Sequence, residues 1–92
     1  MFEWIEGVDN ADLDAIAAAL DALVAAVPEV VSYVHGPDLG VSEGNFDYVI
    51  VGDYASVEDY AVYRDHPEHQ RIIAEMIKPF VAKRAAVQYQ TD

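Results

Sequence analysis

The sequence predicts an α+β domain: a four-stranded antiparallel sheet in split βαβ order, with helices covering one face. Three observations predict it. An amphipathic stretch at helical spacing, Leu13 to Val27, stands between two β-rich stretches. The run Phe46 to Tyr54 alternates at period two and is followed by a second helical stretch. A short β-branched and aromatic segment near the end, Ala85 to Gln90, completes the order strand, helix, strand, strand, helix pair, strand.

The elements follow in turn. Phe2 to Glu6 alternates aromatic and acidic residues and breaks at Gly7, which reads as a short strand. Asp9 or Asn10 caps the first helix, and Asp12 and Asp14 suit its positive end. Leu13, Ile16, Ala17, Leu20, Leu23, Val24 and Val27 fall on one face, and Pro28 ends the helix. Val30 to His35 is a β-branched strand stopped by Gly36 and Pro37, and the Gly-rich segment to Asn45 is loop. In the next strand Phe46, Tyr48 and Ile50 point one way, Val49 and Val51 the other. A strand apolar on both faces must be covered on both.

Ser56 and Asp59 resemble a capping box for a helix through Tyr60 and Tyr63. Pro67 disfavours the helical conformation at His66 and suits the first position of a new helix, running through Ile72, Ile73, Met76 and Ile77. Pro79 ends or kinks that helix. Val87 and Tyr89 share one face of the closing strand.

Ninety-two residues make one domain, 1–92, and leave no second helical layer. A chain of this size buries only about 60–65% of its unfolded surface, so a lone subunit is marginal. With 53% hydrophobic residues, a second copy of the sheet is the simplest cover for the uncovered face. A homodimer packed sheet against sheet is expected.

The net charge is −12, and no Lys or Arg occurs before Arg64. Such a surface repels phosphate backbones and anionic membranes, so neither nucleic acid nor membrane is an expected partner. No cysteine is present, which excludes disulfides and thiol chemistry. The most apolar run, Ala15 to Val27, is too short to span a bilayer. The first residues lack the basic region of a signal peptide, and a cytoplasmic location is expected. No phosphate-binding loop occurs.

The stretch Tyr63 to His69 gathers a phenol, two imidazoles and a proline. His69 falls in the first turn of a helix, where a neutral imidazole can take a proton from an activated carbon while Tyr63 hydrogen-bonds the enolate. The competing reading has His69 shaping the dimer through a structural hydrogen bond. His66 and His69 are three apart, but Pro67 puts a turn between them and no third ligand stands nearby, so no metal site is expected. His66 is read as a helix cap or as packing beside Pro67, and His35 as a residue at the surface or the barrel mouth. Trp4 and the tyrosines are read as core and interface.

The segment VGDYASVEDYAVYRDHPEH, the first helix closed by Pro28, and the strand ending in Gly36, Pro37 and Asp38 together resemble the stress-responsive α/β-barrel domain (Dabb) family. These features cover nearly the whole chain. The resemblance implies a ferredoxin-like chain that pairs into a dimeric α/β barrel. Members of the family carry a first-strand His ahead of the stretch that matches Phe2 to Gly7, and that His is missing here. The plant olivetolic acid cyclase of that family closes a linear polyketide, and its acid–base pair falls on Tyr63 and His69. Its pocket matches Tyr33, Ile50 and Phe80, with Ile16, Ala17 and Leu20 from the first helix.

Two functions follow as expectations. One is a cofactor-free binder of a small apolar or aromatic molecule, with polyketide-cyclase-like chemistry. The other is a non-enzymatic, stress-related dimer whose barrel is filled by its own side chains.

Overall fold

The computed structural model describes residues 1–91; Asp92, the last residue of the expected domain, lies outside them. Strand β1 (Phe2–Trp4) is followed by helix α1 (Asn10–Ala26), β2 (Val30–Pro37), β3 (Tyr48–Tyr54), α2 (Val57–Asp65), α3 (Pro67–Ile72) and β4 (Val81–Arg84). The sheet order is β2-β3-β1-β4, antiparallel throughout, which is the expected split βαβ arrangement.

Helix α1 begins on a complete capping box. The Asp9 carboxylate accepts from the Asp12 N–H at 2.9 Å, and the Asp12 carboxylate accepts from the Asp9 N–H at 3.2 Å. Its inner face, Ile16, Leu20 and Leu23, is sealed together with Val27 against the sheet. Burying each of these side chains contributes roughly 1.5–3 kcal/mol. Phe2 and Tyr48 from the sheet and Tyr63, Ile72 and Ile77 from the second helical segment complete the core.

Past α3 the chain widens into a π-helical turn over Ile73–Ile77, where the Lys78 N–H bonds the Ile73 carbonyl. A 3-10 turn over Lys78–Phe80 follows. Pro79 explains the irregularity, because its ring cannot accommodate a regular helical approach to the carbonyl of Glu75.

The closing strand lies earlier than expected. Ala85 to Gln90 is not the strand; Val81–Arg84 is, with Trp4 opposite Val81, Glu3 opposite Lys83 and Phe2 opposite Arg84. Pairing with β1 decides this, not local β-propensity. Val87 and Tyr89 are consequently 79% and 80% exposed.

Tyr48, Ile50, Gly52 and Tyr54 of β3 alternate with Val49, Val51 and Asp53. The first set faces the helices. On the opposite face Val49, Val51 and Val34 of β2 remain 39%, 49% and 63% exposed. No described helix is long and apolar enough to cross a membrane.

Candidate functional site

Helix α2 starts at Ser56, whose Oγ accepts from the Asp59 N–H at 3.1 Å. Seven residues on, Tyr63 turns inward and is buried under the sheet. The helix must stop at His66, which adopts the extended conformation imposed by Pro67 (φ −60°, ψ 134°). His66 then caps α3, its Nδ1 accepting from the Glu68 N–H at 3.1 Å.

This break returns His69 to the end of α2. Its Nδ1 lies 2.8 Å from the carbonyl oxygen of Arg64, one of the acceptors that the end of a helix leaves without an intrahelical donor. The Gln70 amide donates to the same carbonyl at 2.6 Å, while the Arg64 guanidinium turns away to Asp65. A carbonyl only accepts, so the Nδ1 of His69 carries the proton and the neutral ring keeps its lone pair on Nε2. Burial lowers the His69 pKa below its ordinary value, outweighing the Arg64 carbonyl and Asp65, which push the other way.

The Tyr63 ring lies 4.3 Å from the His69 ring, centre to centre. Its hydroxyl is 2.8 Å from that of Tyr33. Burial is the first cause holding Tyr63 well above the ordinary phenol range, followed by the hydrogen bond to Tyr33. Burial likewise pushes Tyr33 up to about 12. Both phenols are therefore neutral at any ordinary pH.

Tyr63 and His69 open onto a cleft of about 540 Å³. It is lined by Val49, Ile50, Val51, Gly52 and Tyr54 from both faces of β3, by Met1 and Phe2 at the start of the chain, by Tyr60 and Ile73, and by the segment from Arg84 to Tyr89. Of the residues expected to line a pocket, Ile50 does so. Tyr33 stands behind Tyr63 and meets it through its hydroxyl. Ile16 and Leu20 are sealed in the core, and Phe80, with its carbonyl accepting from Ile5, packs against that core and not on the cleft.

Two features escaped the sequence reading. Tyr54 shares the parity of Tyr48 and Ile50, and its ring folds back over Gly52 and stands 5.3 Å from Tyr63. His35 is not at the surface: its side chain is 8% exposed, with Nδ1 2.7 Å from the Tyr48 hydroxyl and Nε2 2.7 Å from Asp21. The shared parity of Tyr33 and His35 along β2 was the available signal.

The model of the stress responsive A/B barrel domain matches residues 1–91. The chain belongs to the stress responsive A/B barrel domain family. A dimeric ferredoxin-like protein of unknown function from Thermobifida fusca is 36% identical, with a TM-score of 0.90 over 99% of this chain and 85% of its own. A second dimeric ferredoxin-like protein of unknown function, from Bacteroides fragilis, is 19% identical, with a TM-score of 0.80 over 98% and 89%. A Dabb family protein from Mesorhizobium loti is 16% identical, with a TM-score of 0.73 over 89% and 81%. A search of curated proteins finds no match. For this A/B barrel domain the comparisons thus give the family and the fold, and the chemistry has to be argued from the cleft.

Proposed function

We propose that this stress-responsive A/B barrel domain is a cytoplasmic homodimer that binds a small apolar or aromatic molecule and moves a proton on it, with His69 as base and Tyr63 as hydrogen-bond donor. The observation that carries the reading is the hydrogen bond from His69 to the Arg64 carbonyl, which commits Nδ1 as donor and leaves Nε2 free beside the Tyr63 ring. Burial adds to it by favouring the neutral, basic form of the imidazole. A proton taken from a carbon next to a carbonyl leaves an enolate, whose oxygen a neutral Tyr63 stabilises by donation. A positioned pair of this kind supplies about 10²–10⁴ in rate, enough for an aldol-type closure of an already activated ketone. The exposed Val34, Val49 and Val51 support a dimer packed through the open sheet face.

The test uses acetophenone, an aromatic ketone with exchangeable α-hydrogens, in deuterated water. Ligand-observed NMR is expected to show binding, with deuterium uptake faster than in buffer. His69→Ala is expected to remove the acceleration and leave the sedimentation coefficient and Tm unchanged. Absence of binding or of any acceleration defeats the enzymatic reading; a large loss of stability in His69→Ala favours the structural one.

A further inference from the structure

From the convergence of hydroxyls around Gly52 we infer that the cleft is an oxyanion site: Tyr54 is a second donor beside Tyr63, Tyr33 is a positioning residue behind them, and the ligand is a planar enolate or phenolate. The inference rests on the small-molecule reading of the cleft and adds the charge state of its ligand and two further residues.

Gly52 stands opposite Tyr33 across the β2–β3 pair. A Cβ at this position would lie 2.6 Å from the Tyr54 hydroxyl oxygen and 3.0 Å from its ring. Only a residue without a side chain lets Tyr54 fold back along its own strand. The folded ring brings the Tyr54 hydroxyl over Gly52, with its ring centre 5.3 Å from that of Tyr63. Tyr33 meets the Tyr63 hydroxyl from the other side at 2.8 Å. Of the three, Tyr54 and Tyr63 line the cleft.

Each phenol has one proton to give. When Tyr33 donates to the Tyr63 oxygen, the Tyr63 proton is released toward the cleft, and Tyr54 offers another. Two donors then converge on one oxygen, and donation from Tyr33 polarises Tyr63 further. An anionic oxygen gains more from such donors than a neutral one, and a preorganised pair in a partly dry cleft needs no rearrangement to serve it. Burial holds all three phenols protonated, so they remain donors and do not compete as anions. Tyr60, 5.2 Å from Tyr54, and Ile73 supply the flat apolar surroundings that suit a planar ring. His69 supplies the base that makes the anion from a neutral ligand.

The probe is 4-nitrophenol, whose phenolate is coloured and whose ionisation can be read while bound. Wild-type protein is expected to bind the phenolate at least about tenfold more tightly than the phenol, so the bound probe ionises at lower pH than the free one. Tyr54→Phe is expected to reduce that preference about tenfold, and Tyr33→Phe by a smaller factor, both without loss of fold by circular dichroism. Gly52→Ala, which displaces the Tyr54 ring, should match Tyr54→Phe. His69→Ala should keep the preference while losing deuterium exchange on acetophenone. Binding with equal affinity for both forms, or a preference untouched by Tyr54→Phe, overturns the oxyanion assignment and leaves the binding reading standing. No binding of either probe overturns both.

Discussion

The imidazole of His69 is bonded through Nδ1 to the backbone carbonyl of Arg64, 2.8 Å away and five residues earlier in the chain. The bond exists because Pro67 breaks the helix between them. The first expected outcome concerns protonation. A half-buried His beside Tyr63 titrates below its ordinary 6.5, so proton transfer should rise with pH through a midpoint below 6.5 and then level off. No alkaline fall is expected from Tyr33, which ionises only at about 12. Nitrogen-resolved NMR of the imidazole checks both the midpoint and the Nδ1–H tautomer; a midpoint above 6.5 contradicts the assignment.

The same groups set the pH range of stability. Below 6.5 the unfolded chain takes a proton on His69 more readily than the folded chain does, so stability is lost as pH falls through the lowered folded pKa. Tyr33 acts at the other end. The phenol ionises near 10 when unfolded and at about 12 when folded, so stability is lost as pH rises from about 10 toward 12. Tm measured across pH should therefore be flat between about 6.5 and 10 as far as these two groups are concerned, falling on either side.

Leu20→Ala should cost about 2–5 kcal/mol by urea denaturation, because the side chain is fully enclosed in the core. It should leave probe binding per folded molecule unchanged. A variant that kept its stability and altered ligand preference would return Leu20 to the pocket.

Val34→Asp places a charge on the open apolar face at a residue that does not line the cleft. If two copies meet there, a buried, unpaired carboxylate dissociates them. Sedimentation is expected to show a dimer for the wild type and a folded monomer for the variant. Unchanged mass for the variant argues that the copies meet elsewhere.

His35→Leu removes the acceptor and donor that tie Tyr48 on the sheet to Asp21 on α1. Leaving the Tyr48 hydroxyl without its partner should cost roughly 1–3 kcal/mol. His35→Asn should recover part of it. Both changes should leave the titration of His69 in place.

What could be read ahead of the structure was whatever depends on local periodicity. The apolar stripe of α1, the alternation of β3 and the proline break between Tyr63 and His69 are local, and they hold. The position of β4 is not local: Lys83 and Arg84 give a poor β signal, and only pairing with β1 places the strand there. Periodicity put Ile16 and Leu20 on a buried face and only the family resemblance assigned them to a pocket; both side chains are enclosed in the core. Of the two places expected for His35, the surface is excluded because Asp21 reaches down from the helix to meet it; a position near a strand end could not show that contact. Tyr54 was missed for another reason: its importance depends on an absence, the missing side chain at Gly52.

Trp4 stands 5.8 Å from Tyr48 at one end of a row of rings that passes through His35, Tyr33 and Tyr63 to Tyr54 and Tyr60. It is the sole tryptophan in the chain. Light absorbed by the tyrosines can therefore drain toward a single indole, whose emission serves as a native optical gauge. An aromatic guest settling beside Tyr54 and Tyr60 would intercept that flow at its source, and the glow of Trp4 would dim without any label being attached.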